Sequence, residues 1–128
     1  MNSTPKNVKS ILKKLKVSES EIADYCINHA TEALQENGYK DARLWATNIL
    51  SNAIGEFSSL SNYDDMEMWM DELEGLEREV VEAILETFEH LYESHPSSDP
   101  NDIKDTIVYA ISKALDQEDK IKYSRSYA

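Results

Sequence analysis

The chain has 128 residues, of which 41% are hydrophobic, so it can bury the core of one domain but is too short for two. Thirteen Lys and Arg residues against 25 Asp and Glu residues give a formal net charge of −12. The field of such a chain repels phosphate backbones and anionic membranes. It therefore disfavours direct nucleic-acid or membrane binding and favours a basic protein as partner.

Apolar residues recur at helical spacing along most of the chain, and no stretch alternates as a strand would. The first predicted helix begins at Thr4 with Pro5 in its first turn. Its apolar stripe is Val8, Ile11, Leu12 and Leu15. Its remaining surface carries five lysines, which are Lys6, Lys9, Lys13, Lys14 and Lys16.

The second predicted helix has the clearest start signal. Ser18 and Glu21 have the spacing of a capping box, and Val17 and Ile22 flank the cap as a hydrophobic staple does. Gly38 is placed to end the helix in the left-handed conformation. The residues that this helix should bury are Ile22, Cys26, Ala30, Ala33 and Leu34.

A third helix is predicted from Asp41 to between Phe57 and Leu60, followed by a connection over 58–62. Its predicted apolar face is wide. That face comprises Leu44, Trp45, Ile49, Ala53, Ile54 and Phe57.

The longest predicted helix covers about 64–93 and has a nearly continuous apolar seam. Unbroken, it would extend roughly 45 Å. Gly75, near its middle, costs about 1 kcal/mol relative to Ala, so we expect a kink or a break there. The seam consists of Met66, Trp69, Met70, Leu73, Leu76, Val80, Ala83, Ile84, Phe88 and Leu91.

A loop at 94–98 precedes a last helix, which Asp99 caps and Pro100 opens. Its buried stripe should contain Ile103, Ile107, Ala110, Ile111, Ala114 and Leu115. The sequence therefore predicts an all-α, single-domain bundle of about five amphipathic helices, the fourth long and acidic. We expect the bundle to occupy residues 1–116 and a frayed polar tail residues 117–128.

Three features of the sequence bear on whether the protein is targeted to a membrane and in which compartment it lies. No apolar run approaches the roughly 18 residues needed to cross a bilayer, and the N-terminal lysines are interleaved with apolar residues instead of preceding them. Cys26 has no second cysteine with which to form a disulfide within the chain. This suits a reducing compartment, and we expect a cytoplasmic protein without a membrane span.

Acidic residues are concentrated in the fourth predicted helix. Residues 64–93 contain twelve carboxylates and one base, Arg78, whereas residues 1–17 contain five lysines and no acid. Glu82, Glu86, Glu89 and Glu93 recur every three or four residues and should form one row, here called the acidic ridge. The ridge is either a solvated helix face, partly neutralised by the first helix, or a docking surface for arginines and lysines.

A methionine and tryptophan cluster lies among these carboxylates. Met66, Trp69 and Met70 are expected to be mainly core, whereas Met68 falls on the opposite side. Flexible methionine and anchoring tryptophan side chains are typical of protein interfaces. The candidate partner-binding residues are therefore Glu67, Met68, Trp69, Asp71, Glu74, Glu82, Glu86, Glu89 and Glu93.

The sequence contains no motif that is typical of catalysis or of cofactor binding. There is no phosphate loop, no dinucleotide fingerprint and no glycine-rich turn to position a nucleophile. Cys26 and His29 lie one turn apart, and His90, Glu93 and His95 form a second weak cluster, but neither supplies a complete zinc ligand set. We expect no enzyme activity, no cofactor and no metal.

One short segment resembles a known family. Phe88–Pro96 is similar to the end of a helix in the small helical immunity proteins that neutralise nuclease bacteriocins. The likeness covers nine residues of 128, and the tyrosine pair that follows in that family is absent here, so it does not assign the chain to the family.

The leading hypothesis is a protein-binding inhibitor, of immunity or anti-defence type, whose acidic helix masks the basic site of a nuclease or other nucleic-acid-handling enzyme. The alternative is a self-associating adaptor that forms a homodimer through the long helix. A third reading, a metal-binding helical protein, depends only on Cys26, His29 and His90.

Overall fold

The computed structural model of the protein describes residues 6–60 and 63–126, with side chains at 6, 8–60 and 65–117. Within these ranges the chain forms six helices and no strand, which confirms the predicted all-α class. The helices are α1 Lys6–Leu15, α2 Glu19–Glu36, α3 Ala42–Ser58, α4 Tyr63–Glu72, α5 Gly75–Ser94 and α6 Pro100–Ser126. None of these helices has a stretch long and apolar enough to cross a bilayer.

The ends of α2 follow the predicted signals. The Ser18 hydroxyl accepts a hydrogen bond from the backbone N–H of Glu21 at 3.1 Å. At the other end Gly38 has φ +84°, and the N–H groups of Gly38 and Tyr39 donate to the carbonyls of Gln35 and Leu34. This pair of bonds is a Schellman motif, which satisfies carbonyls that the end of a helix leaves open. The predicted start of the first helix, at Thr4 and Pro5, lies outside the described residues.

Helices α2 and α6 lie at the centre of the bundle. Helix α2 contacts α3, α5 and α6, and α6 contacts α1, α2, α3 and α5. Their contacts bury one continuous apolar core. The largest fully buried side chains are Phe57, Phe88, Ile27, Leu34, Leu50, Ile84, Ile103, Ile107 and Ile111.

The long fourth helix that we predicted is two helices, so the described residues form six helices where about five were predicted. Leu73 and Glu74 are not helical; Glu74 is extended, and Gly75 has φ +65°. A helix of 20 residues already spans about 30 Å, the diameter of a small domain, so an unbroken helix over 64–93 would extend past the core. The break lets Met66 and Trp69 of α4 bury separately.

The buried face of α3 differs from the predicted one. Leu44 and Trp45 are 39% and 50% exposed, whereas Ala42, Ala46 and Leu50 face the core. Alanines at four-residue spacing let neighbouring helices approach closely, and this small-residue stripe outweighed the larger side chains.

Helix α6 begins as predicted and ends later. The Asp99 carboxylate accepts a hydrogen bond from the N–H of Asn101 at 2.9 Å, and the helix starts at Pro100. It continues through Ser126, so residues 117–126 belong to α6. Residues 117–122 are mainly good helix formers, which favours this extension. The domain boundary placed at residue 116 stays a prediction.

Candidate partner-binding surface

The acidic ridge lies on the solvent side of α5. Glu86, Glu89 and Glu93 are exposed, and the Glu82 side chain retains 44% of its accessible surface. A helix rises 1.5 Å per residue, so the row is about 17 Å long. Arg78 Nε lies 3.7 Å from Glu82, and the Tyr25 hydroxyl lies 3.3 Å from Glu86.

Helix α4 displays a second acidic surface that includes one large apolar side chain. Met68 is 62% exposed, and Glu67 and Asp71 beside it are exposed as well. Glu74, in the link to α5, is also exposed. The structure therefore places eight of the nine candidate partner-binding residues at least partly in solvent.

Trp69 is the ninth candidate, and it faces inward. It is 8% exposed, and its indole Nε1 donates a hydrogen bond to Glu56 at 2.5 Å. Met66 is 3% exposed and belongs to the same core. Trp69 thus supports the helix that carries Met68, and it offers a partner little contact area.

The lysines of α1 do not neutralise the ridge. Helix α1 packs against α6, with Val8, Ile11 and Leu15 buried. Among the described side chains, no ion pair joins one of its lysines to a carboxylate of α5. The four lysines of α1 and Lys16 just after it are exposed, which makes this a separate basic surface.

A groove beside the ridge was not anticipated from the sequence. It lies between α2 and α5, has a volume of about 500 Å³, and contains apolar and acidic side chains. Its lining residues are Val17, Glu21, Ile22, Tyr25, Glu86, Thr87, His90 and Leu91. Each wall has polar residues at four-residue spacing, but the sequence contains no signal that pairs α2 with α5.

Tyr25 links the two walls of this groove. Its hydroxyl donates a weak hydrogen bond to Glu86, and its ring lies 5.9 Å from that of His29. The pKa of Tyr25 is raised, first by burial of the phenol and then by the negative charge of Glu86. Tyr25 is still 48% exposed, so a bound molecule can reach its ring.

A pair of exposed aromatic rings marks the corner between α2 and α3. Tyr39 and Trp45 are 40% and 50% exposed, and their ring centroids lie 6.3 Å apart in an edge-to-face arrangement. The helical spacing of apolar residues placed Trp45 in the core, so this exposed pair was not predicted from the sequence. The four-residue spacing of Ala42 and Ala46 was the available signal that the buried face of α3 lies elsewhere.

The residues considered for metal binding are not brought together. In the part of the chain that the structure describes, no three His, Cys, Asp or Glu side chains converge. Cys26 is fully buried, with its Sγ 3.4 Å from the Thr87 hydroxyl. Burial raises the pKa of the Cys26 thiol to about 11, which disfavours the thiolate that a metal or a nucleophilic reaction requires.

Comparison with known proteins gives no family and no relative. No protein-family model matches the chain, and neither a curated protein nor a solved structure is significantly similar to it. The surfaces described above are therefore the basis for any functional interpretation.

Proposed function

We propose that this protein is a non-catalytic inhibitor that binds a basic protein, of the immunity or anti-defence type. In this proposal the acidic residues of α4 and α5 cover the positively charged site of a nuclease or another nucleic-acid-handling enzyme. The protein then takes the place of the anionic substrate in the enzyme's electrostatic field.

The supporting observation is the separation of charge on the surface. The carboxylates of α5 point to solvent, while the lysines of α1 lie on a helix packed against α6. Exposed carboxylates at these positions can attract a cation of a partner protein. Like charges at three- and four-residue spacing repel by a few tenths of a kcal/mol per pair, so the row slightly destabilises α5.

Charge and apolar contact have different roles in this proposal. The ridge and the acidic residues of α4 chiefly accelerate association, because exposed charges steer an encounter, and each exposed ion pair adds only about 0.2–1 kcal/mol to the final affinity. Met68 contributes contact area, since its flexible thioether adapts to an irregular partner surface. We expect mutations on the ridge to slow association and changes at Met68 to speed dissociation.

The homodimeric adaptor depended on a long helix with surplus apolar positions. That helix is broken at Leu73 and Glu74, and Val80, Ile84, Phe88 and Leu91 of its seam are buried within the chain. The observation that motivated the homodimer is therefore missing, and we retain the inhibitor as the proposal.

Affinity capture with matched variants tests the proposal. The bait proteins are the wild type, a ridge variant with Glu82, Glu86, Glu89 and Glu93 changed to Gln, and a control variant. The control, Asp24→Asn, Glu32→Gln, Glu36→Gln and Asp116→Asn, removes the same number of charges from exposed positions elsewhere. Nuclease-treated lysate of the source organism is applied at low and at high salt, and retained proteins are identified by mass spectrometry.

The proposal requires one pattern of retention. A basic nucleic-acid-handling enzyme should be retained by the wild type and by the control, released by salt, and lost from the ridge variant. Equal retention by the ridge variant would contradict a role for the ridge. Retention of copies of the protein alone would favour the adaptor.

A further inference from the structure

The groove between α2 and α5 combines an apolar floor with an acidic rim. Ile22, Thr87 and Leu91 form the floor, and Glu21 and Glu86 are exposed above it. A volume of about 500 Å³ lies within the usual range for ligand sites in proteins, roughly 300–1,000 Å³. This mixture differs from the acidic ridge, where the exposed side chains are carboxylates alone.

The packing of the two helices accounts for the groove. They run antiparallel, since Tyr25 contacts Glu86 while Asn37, at the C-terminal cap of α2, contacts Glu79. They are close at Cys26, whose Sγ lies 3.9 Å from the carbonyl oxygen of Ala83. Beyond this contact, toward the start of α2, the groove is open, and Val17 from the α1–α2 link lines its end.

The charges around the opening of the groove favour a positively charged occupant. Glu21 stands on one wall and Glu86 on the other, and no Lys or Arg is among the lining residues. A cation that enters therefore meets two carboxylates, and the exposed ring of Tyr25 provides a face for a cation–π contact. The buried floor favours an occupant that is apolar on one side.

We propose that this groove binds a basic amphipathic helix of the partner protein, with apolar side chains on Ile22 and Leu91 and a lysine or arginine between Glu21 and Glu86. The inference depends on the proposed function, because it gives the acidic surface a specific anchoring site. A helix fits this role because its apolar residues repeat every three or four positions and its basic residues can flank them.

For the helix to bind, one weak hydrogen bond in the groove has to be replaced. The hydrogen bond between the Tyr25 hydroxyl and Glu86 is 3.3 Å long, whereas strong O–H···O bonds are about 2.7 Å. A guanidinium or ammonium group forms a shorter, charge-assisted bond with the carboxylate and readily replaces it. Glu86 belongs to both the ridge and the groove, so a partner guided by the ridge reaches the groove directly.

The test uses the full-length protein and a defined probe. The probe is a fluorescein-labelled helical peptide of about 15 residues, built from Leu and Lys with Leu at positions i, i+3, i+4 and i+7. A peptide of the same composition in scrambled order is the control. Binding is measured by fluorescence polarisation at physiological salt, and the site is mapped by amide chemical-shift changes in the ¹⁵N-labelled protein.

We expect the amphipathic peptide to bind more tightly than the scrambled one and to shift the amides of Ile22, Tyr25 and Leu91. Two charge-reversal variants distinguish binding in the groove from binding on the ridge. Glu21→Lys lies in the groove and off the ridge, and should weaken binding about tenfold. Glu82→Lys lies on the ridge and outside the groove, one helical turn from Glu86, so salt screens its charge only in part and it should weaken binding a few-fold, clearly less than Glu21→Lys. Circular dichroism confirms that both variants are folded.

Shifts centred on the ridge or on α4, with Ile22 and Leu91 unmoved, would overturn the inference. They would leave the proposed function standing, because that function requires only the acidic surface. Equal binding of the two peptides, or no binding of either, would also overturn the inference. The capture experiment, which uses the natural partner, decides the proposed function separately.

Discussion

The indole Nε1 of Trp69 donates a hydrogen bond to the Glu56 carboxylate at 2.5 Å, and this bond ties α4 to α3. The Trp69 ring is stacked on Phe57 with centroids 6.2 Å apart, and Phe57 meets Phe88 edge to face at 6.3 Å. Three helices are thereby joined through aromatic contacts. The short helix α4, with Met68 on its outer side, is held at a fixed position on the bundle.

Replacement of Glu56 tests this connection. Glu56→Ala leaves the indole N–H of Trp69 without its acceptor, and we expect the free energy of unfolding to fall by about 1–2 kcal/mol. Glu56→Gln keeps an acceptor for the indole N–H, so its free energy of unfolding should fall clearly less. Urea denaturation followed by circular dichroism measures both. Glu36→Ala, at an exposed position on α2, is the control, and a loss at Glu36 equal to that at Glu56 would contradict the account.

Replacement of Gly75 and replacement of Gly55 by alanine should change the stability of the protein in opposite directions. Gly75 has φ +65°, a left-handed conformation that costs an alanine about 1–2 kcal/mol, so Gly75→Ala should destabilise the protein. Gly55 lies inside α3, and a methyl group there meets no atom within 4 Å. Gly55→Ala should therefore stabilise the protein by about 0.5–1 kcal/mol. The two melting temperatures, compared with the wild type, check this; a stabilising Gly75→Ala would show that α4 and α5 form one helix.

The Cys26 thiol should be unreactive in the folded protein. It is fully buried, and burial raises its pKa from about 9 to about 11, so little thiolate exists at pH 8. We expect a thiol reagent such as iodoacetamide to label the protein slowly at pH 8 and quickly after denaturation in urea. Fast labelling of the native protein at that pH would contradict the burial of Cys26.

The same thiol makes stability depend on pH above 9. Its pKa is higher in the folded protein, so its contribution is complete below about pH 9 and is lost as the pH rises toward 11. A change of about two pKa units corresponds to roughly 2–3 kcal/mol. The wild type should therefore lose more stability than Cys26→Ala between pH 8 and pH 11, as measured by urea denaturation. Equal losses would show that the thiol does not titrate as described.

Salt should stabilise the protein. The chain carries a formal net charge of −12, and the ridge places like charges one helical turn apart. An increase in NaCl from about 0.01 M to 1 M shortens the Debye length from roughly 30 Å to 3 Å and weakens this repulsion. We expect the melting temperature to rise with NaCl in the wild type and to rise less in the ridge variant. An equal rise in both proteins would mean that the ridge does not contribute to the repulsion.

Local signals in the sequence predicted the local structure well. The Ser18 cap, the Gly38 terminus and the Asp99 cap are each determined by a few adjacent residues, and all three occur as predicted. The buried stripe of α6 also followed from spacing, because Ile103, Ile107 and Ile111 repeat at four-residue intervals. Neither kind of prediction requires knowledge of which helices meet.

Predictions that depend on tertiary packing were less successful. Trp45 is large and apolar and so was assigned to the core, but the close contacts of α3 use alanines and leave Trp45 outside. A kink or a break was expected at Gly75; the structure has the complete break, with Trp69 of α4 packed against Phe57 of α3. The α2–α5 groove was missed for the same reason, since spacing identifies the faces of each helix but not the pairing of two helices.

The most direct test of the central claim is inhibition of the captured enzyme. Its activity on nucleic acid is titrated with the wild type, the ridge variant and the control variant at fixed salt. Our account predicts that the wild type and the control inhibit equally, and that the ridge variant requires about tenfold more protein for the same inhibition. Equal inhibition by the wild type and the ridge variant would show that the acidic ridge is a solvated helix face, and the proposed function would be wrong.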